Sequence, residues 1–478
     1  MKFSEIYKRR VLNESFKNWV ELFQEDLMDV HKAHLVMLKD QKIISEKTAE
    51  NIKRAIEVLQ KDFSIPEEIP EEVEDLYFLF EKQMEKIIGD DAGALHTARS
   101  RNDMDNTVFR LFLRKRFLML MDSLIKLTNT IFEKVESDDG AGLIIQYTHG
   151  QPANVSTLGH YLSSFLADLL EDMEGFLNSI HNLNRSTMGA CAITTTGFDI
   201  DRKTVSDLLG FDGIVTNSYH AIVTSHWIEY PCMWLKNLMN DITRLAADIG
   251  HKASCEVGIL EFPDNLVQIS SIMPQKRNPV IIEHIRIQAG LAIGILNGLE
   301  SLMHSSPYQD INELSDAPVK EFYNGLKYIE SVLELLDETL ENVSVNEQRV
   351  REISTSTGTT TTELADYLVR NENLNFRTAH SIVSEFVKSN YDKSKLKEKF
   401  EKTTDRKLNL SFDRIEEILS PNNFVKVRKV TGGPAAEGMK PVLIEIKNKL
   451  FDITKDINQI HDKITKSDEE REKRFEMI

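Results

Sequence analysis

The sequence predicts an all-α protein built around an elongated bundle of long helices. Three observations predict it. Apolar residues recur at helical spacing over long stretches, few segments alternate as strands do, and helix breakers are sparse, with 12 prolines and 21 glycines in 478 residues. Five helical stretches stand out. The first follows Asp103, with Val108, Leu111, Phe112, Phe117, Leu118, Leu124 and Ile131 among its apolar positions. The second spans residues 156–183, and the third spans 224–257 with a kink expected at Pro231. The fourth follows Pro279 and the fifth covers 313–340. A helix of about thirty residues is roughly 45 Å long, so several in succession predict an elongated bundle. Helices that are apolar around much of their circumference predict burial between subunits.

The run Ser354-Thr355-Ser356-Thr357-Gly358-Thr359-Thr360-Thr361-Thr362 interrupts the helical pattern. A domain boundary is placed there, ahead of a C-terminal helical domain (354–478). The last threonines suit the cap of a helix entering Glu363. The tail after Lys463 is charge-rich with weak apolar periodicity, and is expected to be mobile.

Composition narrows the function classes. Hydrophobic content of 41% and charged content of 28% fit a globular protein. A net charge of −18 argues against nucleic acid as a partner, so an anionic small molecule must be met by a local basic site. Cys191, Cys232 and Cys255 have neither disulfide nor zinc spacing, which suits the cytoplasm and points to no metal. The N-terminus lacks an apolar signal core, and the most apolar run is read near Phe117–Met121, too short to span a membrane.

Three polar loops carry the chemistry. Ser270-Ser271-Ile272-Met273-Pro274-Gln275-Lys276-Arg277-Asn278-Pro279 packs hydroxyls, cations and a carboxamide into ten residues with no continuous apolar face. Ammonium, amide and backbone N–H groups can all point at one carboxylate. Asn278 suits an N-cap and Pro279 the first helical position, which would place the loop at a helix N-terminus. Leu95-His96-Thr97-Ala98-Arg99-Ser100-Arg101-Asn102-Asp103 offers two guanidinium forks, hydroxyls and the Asn102 amide. Its blander reading has the arginines in salt bridges and Asn102 or Asp103 capping the helix. Tyr147-Thr148-His149-Gly150-Gln151 presents His149 as a general acid or base beside Thr148 and Gln151, just ahead of a helix. His160 reads as packing or as a supporting residue.

Together these loops offer two carboxylate-binding regions, a base, an acid and the Lys276 clamp. P-loop, GxGxxG and HExxH signatures are absent from the sequence. The set fits β-elimination without a cofactor. A proton leaves the carbon next to a carboxylate, and Lys276 and Asn278 hold the dianion that forms. A serine can act as base only where positive charge and N–H groups stabilise its alkoxide, and the residues themselves leave Ser270 and Ser271 both open.

These segments resemble the fumarase/aspartase superfamily, and its argininosuccinate lyase branch in particular. Residues His96 to Asp103 are similar to that branch's HTGRSRND segment, with Ala98 in place of glycine. Residues Tyr147 to Gln151 are similar to YTHLQ. Residues Ser270 to Pro279 are similar to the signature GSSxMPxKxNP, with Ile269 in place of glycine, and 362–370 resemble the C-terminal domain of these lyases. The resemblance implies three mainly helical domains, an N-terminal one (1–103), a central long-helix bundle (104–353) and a C-terminal one (354–478), and a homotetramer with a twenty-helix core and active sites shared among subunits. It implies Ser270 as general base, His149 on the acid side, Glu283 as the carboxylate that orients His149, and Lys276 and Asn278 on the substrate carboxylate. Ser100, Arg101, Asn102, Thr148, Gln151 and Ser271 would line the site.

The implied reaction splits an N-substituted dicarboxylate into fumarate and an amine, with argininosuccinate yielding arginine as the leading case. Two departures bear on the amine half. Residues 305–313 lack the lysines of the family's YNKDLQEDK stretch, and Asn217 to His226 lacks the arginine–aspartate pair of NSLDAVSDRD. His31 also stands where these lyases carry a small hydroxyl residue. Such changes are similar to a subgroup that includes ethylenediamine-disuccinate lyase, which leaves another aminodicarboxylate as the alternative. A non-catalytic crystallin-like protein is the competing reading of a different class.

Overall fold

Five long helices carry the architecture, and each lies close to where apolar spacing predicts it. The computed structural model describes residues 3–71, 73–138 and 140–478. The five are Arg101–Glu136, Leu158–Leu183, His226–Lys252, Val280–Met303 and Asp316–Asn342. The 36-residue first helix starts from a capping box, with Ser100 as the cap and Asp103 as its partner three residues on. The second starts from Thr157, whose hydroxyl accepts the His160 N–H. The third continues through Pro231.

Cross-helix bonds fix the directions. Arg110 and Arg114, near the start of the first helix, donate to the Leu183 carbonyl and the Asn184 side chain at the end of the second. The Arg110 guanidinium also lies over Trp227 at the start of the third. Tyr161 near the start of the second helix donates to Asp248 near the end of the third at 2.6 Å. These helices therefore run antiparallel in a bundle. Aromatic layers fill it: Phe117 meets Phe176 at 5.1 Å and Phe322 at 5.4 Å between ring centroids.

Helices Gln24–Asp40, Glu46–Lys61 and Leu76–Ile88 cover the end of the bundle where Arg101 lies, and share its core. Helices Thr361–Glu372, Phe376–Lys388, Lys393–Thr404 and Phe412–Leu419 build a separate small core around Leu364, Leu368, Ile382, Phe386, Phe400 and Ile415. The helix Glu347–Thr357 runs across residue 354, and the chain turns at Gly358 in the left-handed conformation. The next helix begins at Thr361 after Thr360, whose side chain makes no cap bond.

Two local expectations are corrected. The tail after Lys463 belongs to the 41-residue helix Ala436–Glu476, which returns to the main body. Its charges are spent on neighbours: Arg471 pairs with Asp29 at 3.0 Å and Asp468 at 2.5 Å, Glu472 accepts from Lys32, and Phe475 is buried beneath the Lys32 ammonium. Charge density there marks a docked helix rather than a mobile end. The other concerns apolarity. Among the described residues the one helix long and apolar enough to cross a membrane is Val280–Met303, not the Phe117 region. Only 33% of its most apolar window is buried within the chain. It packs between its neighbours in the bundle and leaves Ile287 and Leu291 exposed.

Phe117→Ala should cost about 3–5 kcal/mol, because the aromatic layer between three helices cannot collapse onto the vacancy. Urea unfolding measures this, and a loss below about 1 kcal/mol would show that this layer does not hold the bundle.

Candidate active site

His149 sits at the tip of a two-residue hairpin. Strands Leu143–Thr148 and Gln151–Thr157 pair antiparallel, with Thr148 opposite Gln151. His149 and Gly150 both take positive φ, 53° and 73°, the geometry of a tight turn whose twist matches the strands. The expected position just ahead of a helix is thus corrected. The chain first spends a strand, and the helix starts at Leu158. Thr148, His149 and Gln151 are exposed. Near its tip the hairpin is anchored by the end of the helix His226–Lys252. The Tyr147 ring meets His251 at 5.3 Å, and the buried Lys252 ammonium lies over Tyr147 and Tyr161 while pairing with Asp248.

The Ser270 loop is also a hairpin. Gln268–Ile269 pairs with Arg277–Asn278. Pro274 takes the second position of a turn closed by the Lys276 N–H on the Met273 carbonyl at 3.0 Å. Within the loop the Ser270 hydroxyl oxygen accepts from the backbone N–H of Met273 at 3.0 Å and of Ile272 at 3.3 Å. Two fixed donors on one oxygen are what an alkoxide needs. The Ser271 side chain makes no hydrogen bond among the described residues, so the loop itself distinguishes the two serines. Asn278 does not cap the following helix. Its amide donates to the Gln268 carbonyl at 3.0 Å, and the helix begins at Val280 after Pro279. Strand pairing satisfies Asn278 first, which is why the capping expectation fails. Lys276 and Glu283 are exposed and make no side-chain bond among the described residues.

The Arg101 loop lies at the other end. Ser100 caps the helix, as above. Arg101 is held by Asp75 at 2.7 Å and Glu74 at 3.4 Å. Asn102 donates to the Ala192 carbonyl at 3.2 Å. Arg99 is buried and donates to His31 Nδ1 at 3.0 Å, with its guanidinium over the Tyr77 ring. It makes no ion pair among the described residues. Around it His34 Nε2 donates to the Thr97 carbonyl at 3.0 Å, and His96 Nδ1 lies 2.5 Å from the Tyr77 hydroxyl. Burial, with Arg99 adding to it, pushes the three imidazoles down: His31 well below the usual range, His34 to about 3 and His96 to about 4. Burial also lowers Arg99 and raises Tyr77 to about 12. A neutral cage therefore surrounds one cation directly behind Ser100.

The predicted residues divide into two groups. Thr148, His149, Gln151, Ser270, Ser271, Lys276, Asn278 and Glu283 share the end of the bundle formed by the close of the helix His226–Lys252 and the start of Val280–Met303, where Gly250 lies against Ile282. Ser100, Arg101 and Asn102 lie at the opposite end, a helix length of about 54 Å away. A cleft of about 970 Å³ at the base of the first hairpin contains none of them. Residues 305–313 sit at the Arg101 end, where Tyr219 donates to the Tyr308 carbonyl at 2.7 Å. The sequence reading missed Asp75 and the turn 187–192, which hold Arg101 and Asn102. No local signal marks either as a partner, because both reach the loop from other elements.

A lyase family model matches residues 3–294, and an argininosuccinate lyase C-terminal model matches residues 358–426. The chain is 37% identical to "Argininosuccinate lyase 2" of Agrobacterium fabrum over 456 residues, covering 93% of this chain and 90% of that protein. It is 30% identical to the argininosuccinate lyase of Methanocaldococcus jannaschii over 453 residues, covering 93% and 92%. In fold it is similar to an EDDS lyase in complex with formate, with a TM-score of 0.84 at 24% identity, covering 100% of this chain and 96% of that one. A class II fumarase from Schistosoma mansoni is similar at a TM-score of 0.66 and 14% identity, covering 84% and 90%.

The buried imidazoles have a consequence for stability. Each stays neutral in the folded chain but takes up a proton in the unfolded chain below about pH 6.5. Their contribution is therefore complete above that pH and is lost as pH falls towards the folded values, about 4 for His96 and about 3 for His34. His34→Gln keeps a donor for the Thr97 carbonyl and removes the titration. The fall in urea-unfolding free energy from pH 7 to pH 5 should be shallower in this variant than in the parent chain, and an unchanged slope would show that His34 protonates in the folded state.

Proposed function

As this chain belongs to the argininosuccinate lyase branch of the fumarase/aspartase superfamily and is a carbon–nitrogen lyase, we propose that it cleaves an N-substituted aspartate by β-elimination. Fumarate and an amine are the products. The leading substrate is argininosuccinate, which gives arginine and places the reaction in arginine biosynthesis in the cytoplasm. The observation that carries this reading is the Ser270 oxygen, held by two backbone N–H groups in a loop that also presents Lys276 and Asn278.

In this mechanism Ser270 removes the proton from the carbon beside the carboxylate. Lys276 and Asn278 balance the second negative charge as it develops on that carboxylate, with Ser271 at its edge. His149, oriented by Glu283, supplies a proton towards the departing nitrogen. Thr148 and Gln151 flank it on the hairpin, while Ser100, Arg101 and Asn102 receive the rest of the substrate.

A homotetramer completes the site in this proposal, because neighbouring chains can bring the two ends of the bundle together. The exposed apolar face of Val280–Met303 supports it, as do Gly290, Gly294 and Gly298 on that helix, whose Cβ positions face open space within the chain. The division at residues 103 and 353 is proposed with it. The separate small core after Gly358 supports a third unit, while the last helix rejoins the first core.

A second reading keeps the chemistry and changes the amine. The stretch 305–313 at the Arg101 end carries Tyr308, Asp310 and Glu313 and no lysine, which favours an aminodicarboxylate other than argininosuccinate. Incubation with argininosuccinate, monitored by fumarate absorbance, tests the leading case, and reverse-direction screening of amines with fumarate tests the second. Absence of fumarate from the folded enzyme with argininosuccinate removes that substrate.

Ser270→Ala should lower kcat about a thousandfold with an unchanged Tm, since its hydroxyl bonds only within an exposed loop. Near-normal turnover would reject it as the base. Lys276→Met should reduce kcat/KM roughly tenfold to a hundredfold, the worth of one charge-assisted bond to a carboxylate. Unaltered kinetics would remove Lys276 from the clamp.

A further inference from the structure

We infer that Asp103 is a positioning residue that sets the Asn102 amide through the turn 187–192. The inference rests on the proposed reading, in which Asn102 meets the substrate. The Asp103 carboxylate is fully buried and serves two segments far apart in sequence. One oxygen accepts from the Ser100 N–H at 2.9 Å, closing the start of the long helix. The other accepts from the N–H groups of Gly189 and Cys191, each at 2.8 Å. The Asp103 carbonyl receives the Thr107 and Thr187 hydroxyls at 2.7 and 3.0 Å. The Cys191 thiol donates back to the Ala98 carbonyl at 3.3 Å.

The two turns joined in this way are strained. Ala98, Cys191 and Thr195 take φ of 59°, 54° and 63°, a region that side chains rarely adopt. Such turns relax unless neighbours hold them, and the Asp103 carboxylate is the group that bonds to both. What they hold is the Ala192 carbonyl, one residue beyond Cys191, which takes the Asn102 side-chain N–H. This bond fixes the amide's orientation. With its nitrogen spent on Ala192, Asn102 keeps an oxygen that has no partner among the described residues, and an acceptor at that position suits the N–H of the substrate's nitrogen. Asp103 therefore acts on substrate binding without touching substrate.

The test compares Asp103→Asn with the parent enzyme in kinetics, in fumarate binding by calorimetry and in Tm. An amide in place of the carboxylate sets an NH2 group against backbone N–H donors, so the turn shifts and Asn102 is released. KM should rise about tenfold or more, while kcat at saturation and the dissociation constant of fumarate, which has no N–H for Asn102 to accept, change less than about threefold. A purely structural role would lower Tm and leave KM unchanged, and that result overturns the inference. Gly189→Ala moves the same turn with Asp103 intact. Its Cβ would lie 2.5 Å from Arg202 Cγ and 2.9 Å from Ile200 Cδ1, at a φ of 80°. It should raise KM in the same direction, and it carries the test if the aspartate variant does not fold. An unchanged KM there also overturns the inference. A parent enzyme that neither releases nor binds fumarate refutes the proposed function and this inference together. An active parent with unaltered variants refutes this inference alone.

Discussion

The length and stiffness of the antiparallel helices govern the rest of this structure. A helix rises about 1.5 Å per residue, so a 36-residue helix keeps its two ends about 54 Å apart whatever the loops contain. The aromatic layers around Phe117 and the guanidinium bonds of Arg110 and Arg114 hold the helices in one register. Loops that follow a helix end are thereby assigned to one end or the other. The two hairpins carrying His149 and Ser270 fall at one end and the Ser100–Asn102 segment at the other, so one bundle presents two half-sites. Shared active sites in the proposed tetramer are the geometric answer to that separation. The apolar face left open on Val280–Met303 is the surface on which such an assembly can form.

Each half-site is prepared differently. At the hairpin end the functional groups are exposed or half-buried, and precision comes from backbone. The tight turn at His149 and Gly150 and the N–H pair on Ser270 are set by main-chain geometry. At the other end precision comes from burial. Arg99 has no acidic partner among the described residues and lies among imidazoles that burial keeps neutral, and Asp103 is fully enclosed by backbone donors. Buried polar networks of this kind tolerate little error, because each lost bond leaves an unsatisfied group in a low-dielectric interior. Against a net charge of −18, the exposed Lys276 is a local cation that an anionic substrate would meet.

Local signals pointed to the candidate site. The hydroxyl, cation and carboxamide content of residues 270–278 reads as an anion-handling loop without reference to any fold, and the apolar spacing after Asp103 marked its helix. Where prediction failed, a partner distant in sequence had intervened. Asn278 has the chemistry of a cap, yet the strand at Gln268 claims its amide. The tail after Lys463 has the composition of a mobile end, yet Asp29 and Lys32 on an early helix supply partners for its charges. For Arg101 the sequence left a salt bridge open without naming a partner, and the structure supplies Asp75 and Glu74, both on one guanidinium nitrogen.

By itself the sequence determined the helical class, the five long helices and the identity of the three polar loops, because periodicity and loop composition are properties of neighbouring residues. Only the tertiary structure decided which loops share an end and that Asp103 joins the turn 187–192 to the start of the long helix. The latter rests on contacts between residues far apart in sequence, 88 positions in the bond from the Cys191 N–H to Asp103. Such contacts arise only when packed helices of fixed length bring distant segments together, and no local pattern encodes that.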